Sequence, residues 1–216
     1  MTEIKYSKRE DLPKLAECHK SAFPDSLSSK MGTKYLEEMI AWYLSDDRKI
    51  LFHAEDNGKC IGYCGGMILD GTQPTGSASG MMQYSFNSAV KAIMLRPWLL
   101  LHKEFLNKYK LILKNIKRRF SGNKKPGGDL KKKKNKELTE KEMGLVVIGV
   151  SSDFHGKGIG SVLLKEFEKK TAGMGIDKMG LAVRRVNEKA LKSYQRNGWE
   201  ISKEHPDYYE MTKRIL

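Results

Sequence analysis

The sequence is short of several things, and each shortage removes a class of protein. It has three cysteines in 216 residues, Cys18, Cys60 and Cys64. That odd number makes no disulfide framework, and Cys60 and Cys64, four apart on an expected strand, have no second pair with which to hold zinc. A reduced protein without a metal is expected. No apolar run is long enough to span a bilayer, because the longest is broken by Arg96 and Pro97. Met1-Thr-Glu-Ile-Lys brings no apolar leader, so the expected location is cytoplasmic. Acidic side chains are scarce: 26 Asp and Glu face 40 Lys and Arg, a net charge of +14. Neither an aromatic-interleaved RNA motif nor a DNA-reading module accompanies that excess of base.

The basicity is concentrated. Residues 70–142 hold 17 Lys and Arg against 6 Asp and Glu, so +11 of the +14 lies there and the remaining 143 residues carry only +3. The expected organisation is a single domain, 1–216, with 70–142 as a basic, partly helical insertion within it.

Ahead of the insertion, Glu3–Tyr6 alternates like a short strand, and Leu12, Leu15, Ala16, His19 and Phe23 share one face of an amphipathic helix. His19 reads there as a packed histidine. Pro24-Asp25-Ser26 and Ser28-Ser29 break the pattern, and Tyr35, Met39, Trp42 and Tyr43 mark a second helix. Asn57-Gly58 between Ile50–Glu55 and Cys60–Leu69 specifies a tight hairpin. Within the insertion, 70–80 has loop chemistry and a helix is expected around 88–95. Pro97 divides it from another helix, in which Phe105, Tyr109, Ile112, Ile116 and Phe120 recur at helical spacing. Residues 121–134 read as a mobile basic tract.

Residues 143–165 organise the rest. An apolar, β-branched run (Leu145–Val150) meets a Gly-rich turn, followed by Ile159, Val162, Leu163 and Phe167 at helical spacing: strand, turn, helix. Gly156, Gly158 and Gly160 let successive N–H groups point into one concavity at the positive end of the helix dipole, which suits a phosphate. The turn is no P-loop, since Lys157 is followed by Gly158 and not by Ser or Thr. A dinucleotide fingerprint would need a glycine where Ser161 or Leu163 stands. A second pattern lies at Leu181–Trp199: an expected strand, Asn187 as helix N-cap, Ala190, Leu191 and Tyr194 on one helical face, then Gly198-Trp199. Tyr194 is thereby held beside the preceding strand, where a phenol could face a thiolate.

His155-Gly-Lys-Gly-Ile-Gly160 and the Asn187–Trp199 pattern together resemble the two signatures of the GNAT family of acetyl-CoA-dependent N-acetyltransferases, over about residues 143–205. The resemblance implies an α/β (α+β) fold, a mixed, mostly antiparallel twisted sheet with helices on both faces. It implies acetyl-CoA as co-substrate and no metal. The backbone of Ile148, Gly149 and Val150 would pair with the pantetheine arm, in a slot opened where the next strand splays away. His155, Gly156, Lys157, Gly158, Ile159, Gly160 and Ser161 would hold the pyrophosphate, with Asn187 also at the cofactor. Tyr194 would protonate the departing thiolate after direct attack by a neutral amine. His155 departs from the family's usual Arg or Gln, and Ser151-Ser152 from its commoner Asp-Pro. No carboxylate lies between Met143 and Val150, which leaves Glu142, His53, Glu55 or a water chain as the base.

The acceptor expected is a small-molecule primary amine such as an amino sugar, with a protein lysine or N-terminal amine as the alternative. Three readings of the insertion stand. It is a helical excursion packed on the domain or on a second subunit of a homodimer, or a lid over the acceptor. The third is a surface that contacts anionic membrane or nucleic acid through 91–136. A rival function of another class keeps the CoA-binding scaffold and acts only through that basic surface.

Overall fold

A computed structural model describes residues 2–71, 77–120 and 140–215. The strands are β1 (Glu3–Tyr6), β2 (Lys49–Asp56), β3 (Lys59–Leu69), β4 (Glu142–Val150), β5 (Lys178–Arg184), β6 (Glu200–Glu204) and β7 (Tyr208–Arg214). They form one sheet in the order β1-β2-β3-β4-β5-β7-β6, in which only β4 and β5 run parallel. The helices are α1 (Leu12–Ala22), α2 (Leu27–Met31), α3 (Thr33–Ala41), α4 (Ser77–Tyr84), α5 (Phe86–Leu95), α6 (Lys103–Phe120), α7 (Ile159–Gly173) and α8 (Glu188–Arg196). This is the mixed sheet, flanked by helices, that the sequence predicts.

Alternation along the strands feeds a core on each face of the sheet. Phe52 and Ile61 join Met143, Leu163, Phe167 and Met179 under α7. Leu51 and Tyr63 join Leu15, Ile40 and Trp42 under α1 and α3. Because both faces are covered, the middle strands read as continuous apolar runs, and each large side chain buried there contributes roughly 1.5–3 kcal/mol over leaving it in water. Close packing on the α7 side also requires a glycine. A Cβ on Gly66 would lie 2.6 Å from the Phe167 ring and 2.9 Å from the Gly144 carbonyl oxygen.

The hairpin turn at Asn57 (φ 49°) and Gly58 (φ 78°) has the left-handed pair of residues that Asn-Gly supplies. A third, small cluster, Met31, Ala92 and Leu99, fastens α5 and the turn after it to α2. Arg96 reinforces it by donating from Nη1 to the carbonyl oxygens of Lys30 (3.3 Å) and Met31 (2.9 Å), the open C-terminal end of α2.

Several local expectations are corrected. Ser28 and Ser29 do not interrupt helix; they lie in α2, because Ser26 Oγ accepts from Ser29 N (3.2 Å) and caps a new turn. Trp42 and Tyr43 fall in a 3-10 turn that ends α3. Residues 77–80 are the start of α4, with Gly80 set against Trp42, and α5 begins at Phe86, two residues before the expected start. Val162 is 43% exposed, and Leu164 takes the buried place on α7. Pro97 does separate α5 from α6, by way of a 3-10 turn over Pro97–Leu101. The basic tract 121–134 lies outside the described residues.

Candidate active site

The site begins with a failure of strand pairing. β4 and β5 are in register only at Met143 with Met179, Gly144 with Gly180 and Leu145 with Leu181. Opposite, β3 pairs Gly66 with Leu145 and Gly65 with Val147, so Val146 is skipped as a bulge. A bulge adds twist and bends its strand. Beyond it, Val147–Val150 stay paired with β3 while the parallel ladder to β5 has ended, which leaves a wedge between β4 and β5. Ile148 and Gly149, opposite Cys64 and Tyr63, lie along that wedge. Val150 is at its mouth, where its carbonyl oxygen accepts from His155 Nε2 (2.9 Å).

Just past the mouth the chain turns twice through left-handed glycines, Gly156 (φ 77°) and Gly158 (φ 78°), and enters α7. Among the described residues, apart from its chain neighbours, no atom lies within 4 Å of where a Cβ would stand on either. These glycines therefore serve the backbone conformation and leave open space beside it. The first hydrogen bond of α7 is Val162 N–H to Gly158 O (3.1 Å), and Gly158 has no side chain to cap the helix. The N–H groups of Ile159, Gly160 and Ser161 have no acceptor among the described residues. A row of free donors at the positive end of a fifteen-residue helix is an anion seat. Lys157 is exposed, with Nζ 4.7 Å from the Phe154 ring centroid, free to swing toward an anion.

α8 stands across the wedge. Asn187 Oδ1 accepts from Ala190 N (3.3 Å), so its side chain is spent on capping the helix. Asn197, just past the other end of α8, donates from Nδ2 to Ser161 Oγ (3.2 Å) and fastens α8 to the first turn of α7. Tyr194 packs against the α7-side core, its ring centroid 6.1 Å from that of Trp199. Burial pushes its phenol pKa well up, and the nearby Cys64 thiol pushes it further. Since Cys64 faces Ile148 in the register, Tyr194 lies over the unpaired half of β4. No hydrogen-bond partner for its hydroxyl stands among the described residues.

The other side of β4 meets α1. A Cβ on Gly149 would lie 2.8 Å from the Phe23 ring and 3.1 Å from the Tyr63 ring. Tyr63 Oη is 2.5 Å from His19 Nδ1, and His19 Nε2 is 3.0 Å from Ser28 Oγ, which in turn is 2.9 Å from Ser26 Oγ. A connected polar chain therefore runs from beside Gly149 to the half-buried start of α2. Burial lowers the His19 pKa to about 4, so the imidazole is neutral at physiological pH. His19 is packed, as its place on an apolar face predicts, yet both its nitrogens are engaged.

Of the base candidates, three are held elsewhere. Glu142 begins β4, at the end opposite the wedge, and pairs with Lys178 (3.0 Å). Glu55 takes hydrogen bonds from Lys14 and Lys5 that bring its pKa down to about 2. His53 is wholly buried against Ser7 (2.8 Å) on the far side of β2. All three cysteines are buried as well, and none can meet a substrate as nucleophile. The described residues contain no group of His, Cys, Asp or Glu that could hold a metal ion.

Residues 125–199 match the acetyltransferase (GNAT) family. The match covers 75 of the 216 residues. A mycothiol acetyltransferase from Corynebacterium aurimucosum is 37% identical over 59 residues, which is 27% of this chain and 19% of that protein. Among solved structures, the PaiA N-acetyltransferase from Thermoplasma acidophilum, in complex with coenzyme A, has a TM-score of 0.55 at 16% identity, over 100% of this chain and 99% of its own. The ribosomal-protein-S18-alanine N-acetyltransferase from Escherichia coli has a TM-score of 0.54 at 16% identity, over 100% and 94%. At such identities the likeness is one of fold alone.

The glycine turn and the end of β4 adjoin one another in the structure. What sequence reasoning missed is the scaffolding: Asn197 on Ser161, the bulge at Val146, and Ser21, whose hydroxyl sits 2.9 Å from Ser151 Oγ and 3.0 Å from Ser152 Oγ. Asn197 stands beside Gly198 in the second motif and could have been singled out; nothing local marks Ser21 or Val146.

Proposed function

We propose that the chain is an acetyl-CoA-dependent N-acetyltransferase that moves the acetyl group directly to a primary amine. The observation that carries this reading is the end of the parallel ladder at Leu145 and Leu181, beside the free N–H groups of Ile159, Gly160 and Ser161. The diphosphate of coenzyme A fits those donors, and its extended pantetheine arm fits the wedge as a substitute strand against Ile148, Gly149 and Val150. His155 keeps the loop folded over Val150 and is a positioning residue. Lys157 adds charge, and Asn187 orients α8 beside the cofactor.

The amine attacks the thioester carbonyl carbon, the carbon–sulfur bond breaks, and the proton lost by nitrogen ends on sulfur, giving an N-acetyl amine and free thiol. A phenol held above its ordinary pKa cannot by itself give a whole proton to a thiolate near 8.5. Tyr194 therefore donates a strong hydrogen bond to sulfur as charge develops there, and full transfer follows as the amine nitrogen is deprotonated.

The acceptor best supported is a small molecule such as an amino sugar. α4 and α5 pack on α3, and α5 also on α2, the elements that flank the Phe23 and His19 side of β4, which favours a compact amine over a protein segment. The test measures release of CoA thiol across a panel of amines that includes amino sugars and a lysine peptide, with acetyl-CoA affinity taken from calorimetry. Tyr194→Phe is expected to slow release about 10²- to 10⁴-fold while affinity is unchanged. Tight acetyl-CoA binding with no release to any amine would refute the enzyme reading and leave a binding scaffold.

A further inference from the structure

We propose that the insertion docks the protein on an anionic phospholipid surface, through the apolar segment Met94–Leu101 and the basic side chains around it. This inference is independent of the acetyl-transfer reading. Met94 is 77% exposed, Leu95 69%, Trp98 63% and Leu101 76%. Only Ala92 of α5 and Leu99 of the following 3-10 turn are buried, so the segment spends little of its apolar surface on the fold. Large apolar side chains clustered in water mark a contact surface.

Charge identifies what covers them. Lys30, Lys34, Lys91, Arg96 and Lys103 are all exposed around the segment. One hollow is lined by Lys30, Arg96, Trp98 and Leu101, and its neighbour by Lys34, Lys91, Leu95 and Arg96, so Arg96 joins base and apolar surface into one patch. No Asp or Glu occurs between Gly71 and Lys103. Asp25 lies 3.7 Å from Lys30 and the partly buried Glu37 3.8 Å from Lys34, long pairs of little strength, and Glu104 follows Lys103 at the edge of the patch.

An apolar centre with a tryptophan and a cationic rim matches the boundary between acyl chains and acidic headgroups. A nucleic acid would satisfy the lysines and leave Met94, Leu95 and Leu101 in water. A second copy would bring the same positive rim against itself. No helix among the described residues is long and apolar enough to cross a membrane, so the contact is peripheral.

The intact chain is sedimented with phosphatidylcholine vesicles, with and without phosphatidylglycerol, at low and high salt. Trp98 also reports directly, because Trp42 and Trp199 are buried at 6% and 2% exposure. Binding only to the anionic vesicles, with a blue shift of tryptophan emission, is expected, weakening as salt rises. The double variant Trp98→Ser with Leu101→Ser, exposed positions that leave the core alone, should lower partitioning at least about tenfold. The proposal is overturned by no partitioning of folded protein, by partitioning equal in the double variant, or by salt-sensitive binding to a nucleic-acid duplex that outcompetes the vesicles. It is equally overturned by a concentration-dependent dimer whose formation alone shifts the emission.

Discussion

Along β3 every residue from Cys60 to Met67 is buried, whereas α4 buries none of its residues and α5 buries only Ala92. Both regions are apolar in sequence. They differ in what the apolar residues touch: in the sheet they meet α1 and α7 across two faces, and in the insertion they meet a short row of contacts at Met31 and Leu99. Ten of the sixteen exposed large hydrophobics among the described residues fall between Tyr84 and Leu113. The sheet therefore buries its apolar residues, whereas 84–113 leaves many of its own exposed, which is the surface the proposed membrane contact would cover.

The sharpest way to break this contrast is a pair of substitutions. Phe167→Ala, at a position wholly buried, should cost about 3–5 kcal/mol of unfolding free energy in denaturant melts. Trp98→Ser should change it by no more than ~0.5 kcal/mol. Similar losses at both sites would erase the distinction.

Next in size is acid sensitivity, which belongs to the sheet side. His19 has a pKa of about 4 in the fold, below its ordinary 6.5, so the unfolded chain binds more protons between those values. Stability is complete above pH 6.5 and falls as pH drops toward 4, by about 3 kcal/mol at most. His19→Gln should flatten that slope in unfolding curves taken across pH. Glu55, lowered to about 2 from 4.5, adds a separate loss below pH 4.5 that the variant retains.

A smaller effect tests the anion seat without disturbing backbone strain. Gly160 is not left-handed, and a Cβ there would lie 3.9 Å from the nearest atom, on Val150. Gly160→Asp should thus fold normally yet weaken acetyl-CoA binding about tenfold or more, ~1.4 kcal/mol, by like charge against phosphate. Unchanged affinity in calorimetry would remove the diphosphate from this turn. Gly158→Asp is the poorer test, since any side chain at φ 78° is strained.

The mildest test removes the insertion itself. Leu69 and Glu142 are partners in the β3–β4 register, so residues 72–140 can be replaced by a short turn that makes the two strands a hairpin. That variant should lose the helical signal of α4, α5 and α6 from its circular dichroism while keeping cooperative unfolding and acetyl-CoA affinity, melt a few degrees lower for want of the Met31 cluster, and lose vesicle binding. Collapse of the sheet would show that the insertion belongs to the core.

Much of this was legible in the letters. Asn57-Gly58 announced its hairpin, Gly156–Gly160 its turn into α7, and Asn187 its helix cap, because each of these is a local requirement of backbone angle or hydrogen bonding. Helix periodicity likewise placed Tyr194 on the inner face of α8. Ser28-Ser29 misled because the same residues that end one helix can, after a capping serine, begin another. Val162 misled because helical spacing tells which residues share a stripe but not how wide a stripe the neighbours cover.

By itself the sequence determined the order of the strands and of the helices other than α2 and α4, the left-handed glycine turns and the location of the excess charge, all of which depend on residues adjacent in the chain. Tertiary structure alone decided that Val146 bulges, that β4 parts from β5 after Leu145, and that His19 bonds both Tyr63 and Ser28. It also decided that Trp98 and Leu101 face outward. Those outcomes depend on register and burial across strands and helices far apart in sequence, where which neighbour arrives, and not the residue's own preference, sets the result.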